Sequence, residues 1–540
     1  MQNSDSFNYD QLFNDFKIDV PEYFNFAFDV MDKRAVTDRN KLAMIWVDEN
    51  NVEQKLSYRD FKIKSNQVAN FLKKYEISSG DNVLLMLHRV PEWWYFILGL
   101  MKVQAVFAPC AVSLTAKDLA YRCEKAKIKM IVTDLENTDK FDSIKSQIPT
   151  VESFVCIDGN KEGWIELKAE LDNLSTDFIN LNPSHKNRSD DPMLIYFTSG
   201  TTGYPKMVQH THSYALAHRV TGELWHQLDA SSIDWAITDT GWAKSAWGSL
   251  FGQWLAGSTI FIYNYTGRFD AQAILHLLEK YGVTNFCAPP TAYRMLILED
   301  LKKFNLKELT HCVSAGEPLN PEVIQIWQQG TGLNIYEGYG QTETVCIIAT
   351  LPGMTLKEGA IGKPLPPYEI AVLNEDRQPA KENEEGDVAI KVKPNHPVGI
   401  FKGYIGDEET NKKVFVGDWY LTGDKAFKDA DGYFWFVGRN DDVIKSSGYR
   451  IGPFEVESAL IEHPAVIEAA VIGIPDEVRG QAIKAFVILA SNYHPSDNLV
   501  KELQDHVRSV TAPFKVPRYI DFVKELPKTI SGKIRRVELR

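Results

Sequence analysis

Apolar residues along the chain follow two alternating rhythms. Short continuous apolar runs, of the length of buried strands, alternate with stretches where apolar residues recur every three or four positions, as on one helix face. The segment from Asp270 shows the unit. Asp270 is an N-cap, Ile274, Leu277, Leu278 and Tyr281 repeat at helical spacing, and Gly282 is a C-cap. Val283 to Ala288 then reads as a buried strand, ended by Pro289-Pro290. The same unit occurs earlier, with a helix from Tyr58 to Tyr75, a turn at Gly80-Asp81 and a strand from Asn82 to Leu87. Alternation of this kind predicts α/β layers.

The texture changes after about residue 365. Glu369–Leu373 and Gly386–Val392 read as strands between charged turns, and Asp431-Gly432 joins Phe427-Lys428 to Tyr433–Val437 as a hairpin. A compact α+β pattern follows, with a helix opened by Pro453, strands at Ala469–Gly473 and Lys484–Leu489, and a helix over Leu499–Val510. The expected division is a large domain over 1–438, a polar hinge over 439–442 and a C-terminal domain over 443–540.

Composition narrows the classes. A chain of 540 residues is several domains long, and 44% hydrophobic with 24% charged residues describes an ordinary globular protein. Its 59 basic and 72 acidic residues leave a net charge of −13, which disfavours nucleic-acid backbone and anionic membrane surfaces as partners. Six dispersed cysteines without a CxxC pair fit neither a disulfide scaffold nor a zinc ribbon, and point to a reducing compartment. The opening segment is polar and acidic, unlike a signal peptide, and the longest apolar stretch, Phe96 to Val112, is interrupted by Lys102, Gln104 and Pro109. Cytoplasmic residence without a membrane span is the expectation.

The strongest local signal is Thr198-Ser199-Gly200-Thr201-Thr202-Gly203-Tyr204-Pro205-Lys206, directly after the strand-like Met193–Tyr196. Two glycines admit an anion close to the backbone, hydroxyls and amides offer donors, and Lys206 adds positive charge. This is phosphate-cradling chemistry, and it differs from the P-loop, whose Lys directly follows its last Gly.

The string resembles the phosphate loop of the adenylate-forming superfamily of acyl- and aryl-CoA ligases, peptide-synthetase adenylation domains and luciferases. Other family segments follow in order. Gly316-Glu317-Pro318 resembles the adenine-flanking segment, and Tyr336-Glu337-Gly338-Tyr339-Gly340-Gln341-Thr342-Glu343 the nucleotide-lining one. The resemblance implies that Thr342 contacts the α-phosphate and Glu343 helps hold Mg²⁺. It also implies that Asp424, in Tyr420-Leu421-Thr422-Gly423-Asp424, binds the ribose hydroxyls, that Arg439 reaches ribose and phosphate, and that Lys533 is the catalytic lysine. Asp441 matches the family hinge residue. Ser447, Gly448 and Arg450 match the loop bordering the pantetheine tunnel of coenzyme A. Arg508 is either a coenzyme A contact or a helix-surface cation. His463 reads more simply as a helix-end histidine than as a cation site.

Gln341-Thr342-Glu343 is the form found in acetyl- and medium-chain acyl-CoA synthetases. Acetate-specific relatives carry Trp at the position of Gly340, so Gly340 predicts room for a larger acyl group. Trp242, Lys244 and Trp247 align with the acyl-pocket wall, where the two indoles are expected to shorten the pocket again, and Cys287 precedes Ala-Pro-Pro as in archaeal relatives. Trp225 is either another wall or a core residue. The Lys244 amine is expected at a polar edge, because an unpaired buried ammonium is costly.

The implied protein is a ligase using ATP, Mg²⁺ and coenzyme A on a short- to medium-chain, straight or branched, carboxylic acid. The implied fold is α/β: a large α/β/α N-terminal domain with a small β-barrel-like subdomain, then a mobile α+β domain. A carrier-protein thiol as acceptor and a non-catalytic acyl or nucleotide sensor stand as alternatives. A homodimer and regulatory acetylation of Lys533 are left open.

Overall fold

Both helix–strand units form in the computed structural model, which describes residues 7–178, 187–198, 205–447, 449–476, 479–528 and 534–540. Asp270 caps Ala271–Tyr281 by accepting from the Ala273 amide, and Gly282 closes the helix at φ 60°. Ser57 and Asp60 form a reciprocal capping box at the start of Tyr58–Lys74. The strands that follow are Asn285–Cys287 and Asn82–Met86. The first is shorter than its apolar run because the Val283 amide is taken by the Leu278 carbonyl of the preceding helix.

The strands build three sheets. A seven-stranded sheet runs in the order Ile165–Glu166, Ser153–Cys156, Ile128–Thr133, Asn82–Met86, Val106–Pro109, Pro192–Thr198 and Lys206–Thr211. Its pairs are parallel except the last, an antiparallel hairpin that sets Thr198 opposite Lys206. The larger sheet has a parallel half made of Leu42–Asp48, Thr259–Asn264, Ile233–Ala236, Asn285–Cys287, His311–Ala315 and Ile335–Tyr339. From Ile348–Ala349 onward its pairings turn antiparallel, through Ala360–Pro364, Phe434–Arg439, Trp419–Lys428, Gly386–Lys391 and Ile370–Leu373. This antiparallel half is the smaller subdomain. It continues the parallel half edge to edge, and no closed barrel forms among the described residues.

The C-terminal domain folds on its own core of Val456, Leu460, Val471, Leu503 and Val507, under a five-stranded sheet and the helices Pro453–Ile461 and Asp497–Val510. Phe96 to Val112 divides between the buried helix Pro91–Lys102 and the strand Val106–Pro109. No helix among the described residues is long and apolar enough to cross a membrane. All six cysteines are free and buried.

Four parallel strands, Ile233–Ala236, Asn285–Cys287, His311–Ala315 and Ile335–Tyr339, end at one edge. Gly316-Glu317-Pro318 and Gly340 to Glu343 leave from two of those ends and Cys287 sits at a third, while Thr198 ends Pro192–Thr198 of the other sheet. Open α/β sheets bind ligands along this carboxyl edge.

Candidate active site

Asp424 is the centre of the best-defined cluster. It is buried at 3% exposure on Trp419–Lys428, opposite Arg439 in the antiparallel register. Its Oδ2 accepts from the Tyr339 hydroxyl at 2.6 Å and from Gln341 Nε2 at 2.7 Å, while Oδ1 lies 3.3 Å from Arg439 Nε. Gln341 is held in turn, its Nε2 donating to the Thr422 carbonyl and its Oε1 accepting from the Tyr420 hydroxyl. Two segments of the chain therefore close on one carboxylate, the Gln341–Asp424 bond spanning 83 residues.

Glu343 lies at the turn after Ile335–Tyr339 and is also buried. Burial pushes its carboxyl pKa upward, opposed by the Tyr404 hydroxyl, which donates to Oε1 at 2.6 Å. The Lys206 ammonium stands 5.0 Å from the centre of the Tyr404 ring, so the start of Lys206–Thr211 reaches the same corner. Glu337 points into the protein and accepts from the Leu319 amide at 2.9 Å, next to Gly316-Glu317-Pro318. Burial pushes Glu337 up to about 8. Gly316 leaves His311–Ala315 at φ 113°, with open space where a Cβ would stand. Glu317 lies 3.7 Å from Arg294.

The segment expected to wall the acyl group forms the short helix Ala243–Gly248, with Trp242 at its N-cap. The Lys244 amine donates to the Ala315 carbonyl at 3.2 Å, a polar edge as its cost in apolar surroundings requires. Trp225 is wholly buried, meets Trp247 edge-on with centroids 6.4 Å apart, and packs so closely on Gly338 that a Cβ there would lie 2.4 Å from its ring. Cys287 is buried at its strand end, beside the buried His226, which burial lowers but Asp234 more than offsets, to about 10. The room expected at Gly340 is already filled. A Cβ on Gly340 would stand 2.4 Å from Trp247 Cη2 and 2.2 Å from the Val345 carbonyl oxygen. The indole that acetate-specific relatives carry at this position is answered here by an indole from another segment.

Ser447, Arg450 and Arg508 lie in the C-terminal domain. Ser447 takes φ 50° and its amide donates to the Arg479 carbonyl, while the backbone of Arg450 pairs with Lys445. Arg508 is exposed on Asp497–Val510 and ion-paired with Asp505. At the expected hinge, Arg540 donates to the Asp441 carbonyl and to Asp442 Oδ1, each at 2.7 Å, and Arg536, which binds the buried Glu457 of Pro453–Ile461, lies 3.5 Å from Asp442. Ser199, Gly200, Thr201, Thr202, Gly203, Gly448 and Lys533 lie outside the described residues. Sequence reasoning missed Tyr404 and His210, which belong to no motif; only their long-range partners reveal them.

The AMP-binding enzyme family model matches residues 31–405, and the AMP-binding enzyme C-terminal domain model matches residues 455–533. The chain belongs to the AMP-binding enzyme family. This AMP-binding enzyme is 44% identical over 543 residues to the mitochondrial acyl-coenzyme A synthetase ACSM3 of Mus musculus, covering 99% of the chain and 93% of the relative. It is also 44% identical to the mitochondrial ACSM5 of Homo sapiens, covering 96% and 91%. Among solved structures, the anthranilate CoA ligase AuaEII in complex with anthranoyl-AMP superposes with a TM-score of 0.89 at 31% identity, covering 97% of the chain and 98% of its own. An acyl-CoA synthetase of Brucella canis gives 0.76 at 34% identity, with 98% of each chain covered.

Proposed function

We propose that this AMP-binding enzyme is an ATP-dependent carboxylic acid–CoA ligase that acts on short- to medium-chain, straight or branched acids through an acyl-adenylate. AMP and pyrophosphate are released. The observation that carries the reading is the closure of Tyr339 and Gln341 on Asp424 beside Arg439, at the carboxyl edge that also presents Thr342 and Glu343.

The substrate carboxylate is already ionised near neutral pH and needs no general base. What the protein must supply is alignment, and relief of the repulsion between that carboxylate and a polyphosphate. Asp424 accepts from the ribose hydroxyls, Arg439 faces ribose and phosphate, and Lys206 with the 198–203 segment holds the polyphosphate. Thr342 and Lys533 meet the α-phosphate as charge grows on it. Glu343 would hold Mg²⁺, and the residues fit: an oxygen donor set suits that ion, and a carboxylate raised by burial regains its charge beside a cation. When bound, the ion neutralises phosphate charge. The C-terminal domain, 443–540 in our division, then turns about Asp441 in the 439–442 hinge. It presents Ser447, Gly448, Arg450 and Arg508 to coenzyme A, whose thiol attacks the acyl carbonyl and expels AMP.

Trp242, Lys244, Trp247, Trp225, Cys287 and Gly340 line the acyl end in this reading. Cytoplasmic residence is our proposal for this chain; the relatives above are named mitochondrial. Solution mass and mass spectrometry of Lys533 decide whether the chain forms a homodimer and whether that lysine is acetylated.

Pyrophosphate release and thioester formation across a panel of acids, with and without coenzyme A, test the reading. Thioester formation with acids longer than acetate is the expected result. Adenylation that never yields a CoA thioester would point to a carrier-protein acceptor, and binding without turnover to a sensor.

A further inference from the structure

Gln341 to Thr344 belong to neither helix nor strand, so the carbonyls of this segment need partners from elsewhere. Three successive carbonyls find them on two other parts of the chain, around residues 210–214 and at Phe401. The Thr342 carbonyl accepts from His210 Nε2 at 2.7 Å, the Glu343 carbonyl from the Phe401 amide at 2.9 Å, and the Thr344 carbonyl from the Tyr214 hydroxyl at 3.4 Å. His210 is 3% exposed, on the strand Lys206–Thr211. Its ring stacks on Tyr214 with centroids 3.8 Å apart and planes at 21°. A carbonyl oxygen can only accept, so Nε2 carries the proton. Burial lowers the imidazole to about 4, which keeps the ring neutral. The other end of the same strand reaches the segment as well, through the Lys206 ammonium over Tyr404 and the Tyr404 hydroxyl on Glu343.

We infer that His210 is a positioning residue for adenylation: it holds the Thr342 carbonyl and thereby fixes where the Thr342 hydroxyl and the Glu343 carboxylate meet the nucleotide. The inference rests on the roles given above to Thr342 and Glu343. His210 acts through that backbone, in the way an outer hydrogen bond orients a group that itself does the work, and loss of such bonds typically costs about 10- to 100-fold.

Two replacements separate the donor from the ring. His210→Phe keeps an aromatic plate against Tyr214 and removes the N–H; His210→Gln keeps an amide donor of similar reach. Single-turnover pyrophosphate release, the ATP KM and thioester formation from preformed acyl-AMP are measured on each. The expected result for His210→Phe is a fall of about 10- to 100-fold in the rate at saturating ATP, with the thioester half-reaction preserved. His210→Gln should recover most of that rate. Wild-type adenylation in folded His210→Phe, equal loss in both half-reactions, or a Gln variant as poor as Phe would overturn the inference. If His210→Phe does not fold, His210→Asn, whose amide is too short to reach, replaces it against His210→Gln and the same outcomes decide. Thr342→Ala and Glu343→Gln are run alongside. If these adenylate normally, the reading of the site fails; if they are impaired while the donorless His210 variant is not, this inference alone fails.

Discussion

Gly340→Ala adds one carbon where the structure has no place for it. The new Cβ would lie 2.2 Å from the Val345 carbonyl oxygen, 2.4 Å from Trp247 Cη2 and 3.0 Å from Thr344 Oγ1. Carbon atoms in contact rest at roughly 3.5–4.0 Å, so at least two neighbours must move by an ångström or more. Neither yields easily. The Val345 carbonyl is backbone that already accepts from Thr344 Oγ1 at 2.7 Å, and Thr344 Oγ1 in turn accepts from the Gln341 amide at 2.9 Å. Trp247 is 6% exposed and backed by Trp225. Overpacking of this kind typically costs about 1–3 kcal/mol, and the strain falls on the Gln341–Thr344 segment, so adenylation should drop with stability. Thermal unfolding and kcat/KM for acids of two to eight carbons are measured for Gly340→Ala, Trp247→Leu and the double variant. Trp247→Leu removes the ring contact and leaves the carbonyl contact, so the double variant should recover part of the loss, with a coupling of about 0.5–3 kcal/mol. By the same geometry Gly340→Trp should impair adenylation of every acid rather than narrow the choice to acetate. Wild-type melting and an unchanged acid ranking in Gly340→Ala would refute the reasoning, because the strand end would then be shown to yield freely.

Three further outcomes are expected. Asp424→Asn places an amide N–H against the Tyr339 and Gln341 donors, and should lower kcat/KM for ATP by about one to two orders of magnitude, equivalent to ~1.5–3 kcal/mol for hydrogen bonds to a charged group; an unchanged ATP dependence would remove Asp424 from the site. Lys533→Ala should slow adenylation by roughly two or more orders of magnitude while thioester formation from acyl-AMP persists, and equal damage to both half-reactions would contradict its role. Glu337 is held at about 8 in the folded protein, above its ordinary value near 4.5, so the folded state binds the extra proton and stability falls as pH rises through that window, at roughly 1.4 kcal/mol per unit. Glu337→Gln, which can still accept from the Leu319 amide, should flatten that decline in thermal melts from pH 5 to 9; parallel curves for both proteins would show that Glu337 does not hold the proton.

Helix–strand alternation and the caps Asp270 and Gly282 were legible because they are local, acting within one turn of their own chain. The segments at the carboxyl edge were legible as motifs, and the Lys244 amine reached the polar edge that its desolvation cost demands. Close packing and partnership were not. That the indoles of Trp242 and Trp247 would shorten the pocket was legible; that Trp247 closes on the Cβ position of Gly340 itself was not, because it depends on how two distant segments pack. His210 and Tyr404 carry no local signature; their contacts with Thr342 and Glu343 exist only because two sheets meet there. The strands after residue 365 announced antiparallel pairing, but whether such strands close depends on edge partners, and here the edge joins the larger sheet.

The six buried thiols have a use that no binding role would supply. Alkylating reagents attack exposed thiolate; burial closes access to all six, and it also raises Cys110 to about 11 and Cys312 to about 12. Each can be labelled only when its surroundings open. Cys110, Cys123 and Cys156 share the core beneath the seven-stranded sheet, and Cys287, Cys312 and Cys346 belong to the cores of the larger one. The C-terminal domain contains no cysteine. Labelling followed residue by residue is thus a clock that runs on the breathing of the two N-terminal sheets and is silent to any turning of the small domain beside them.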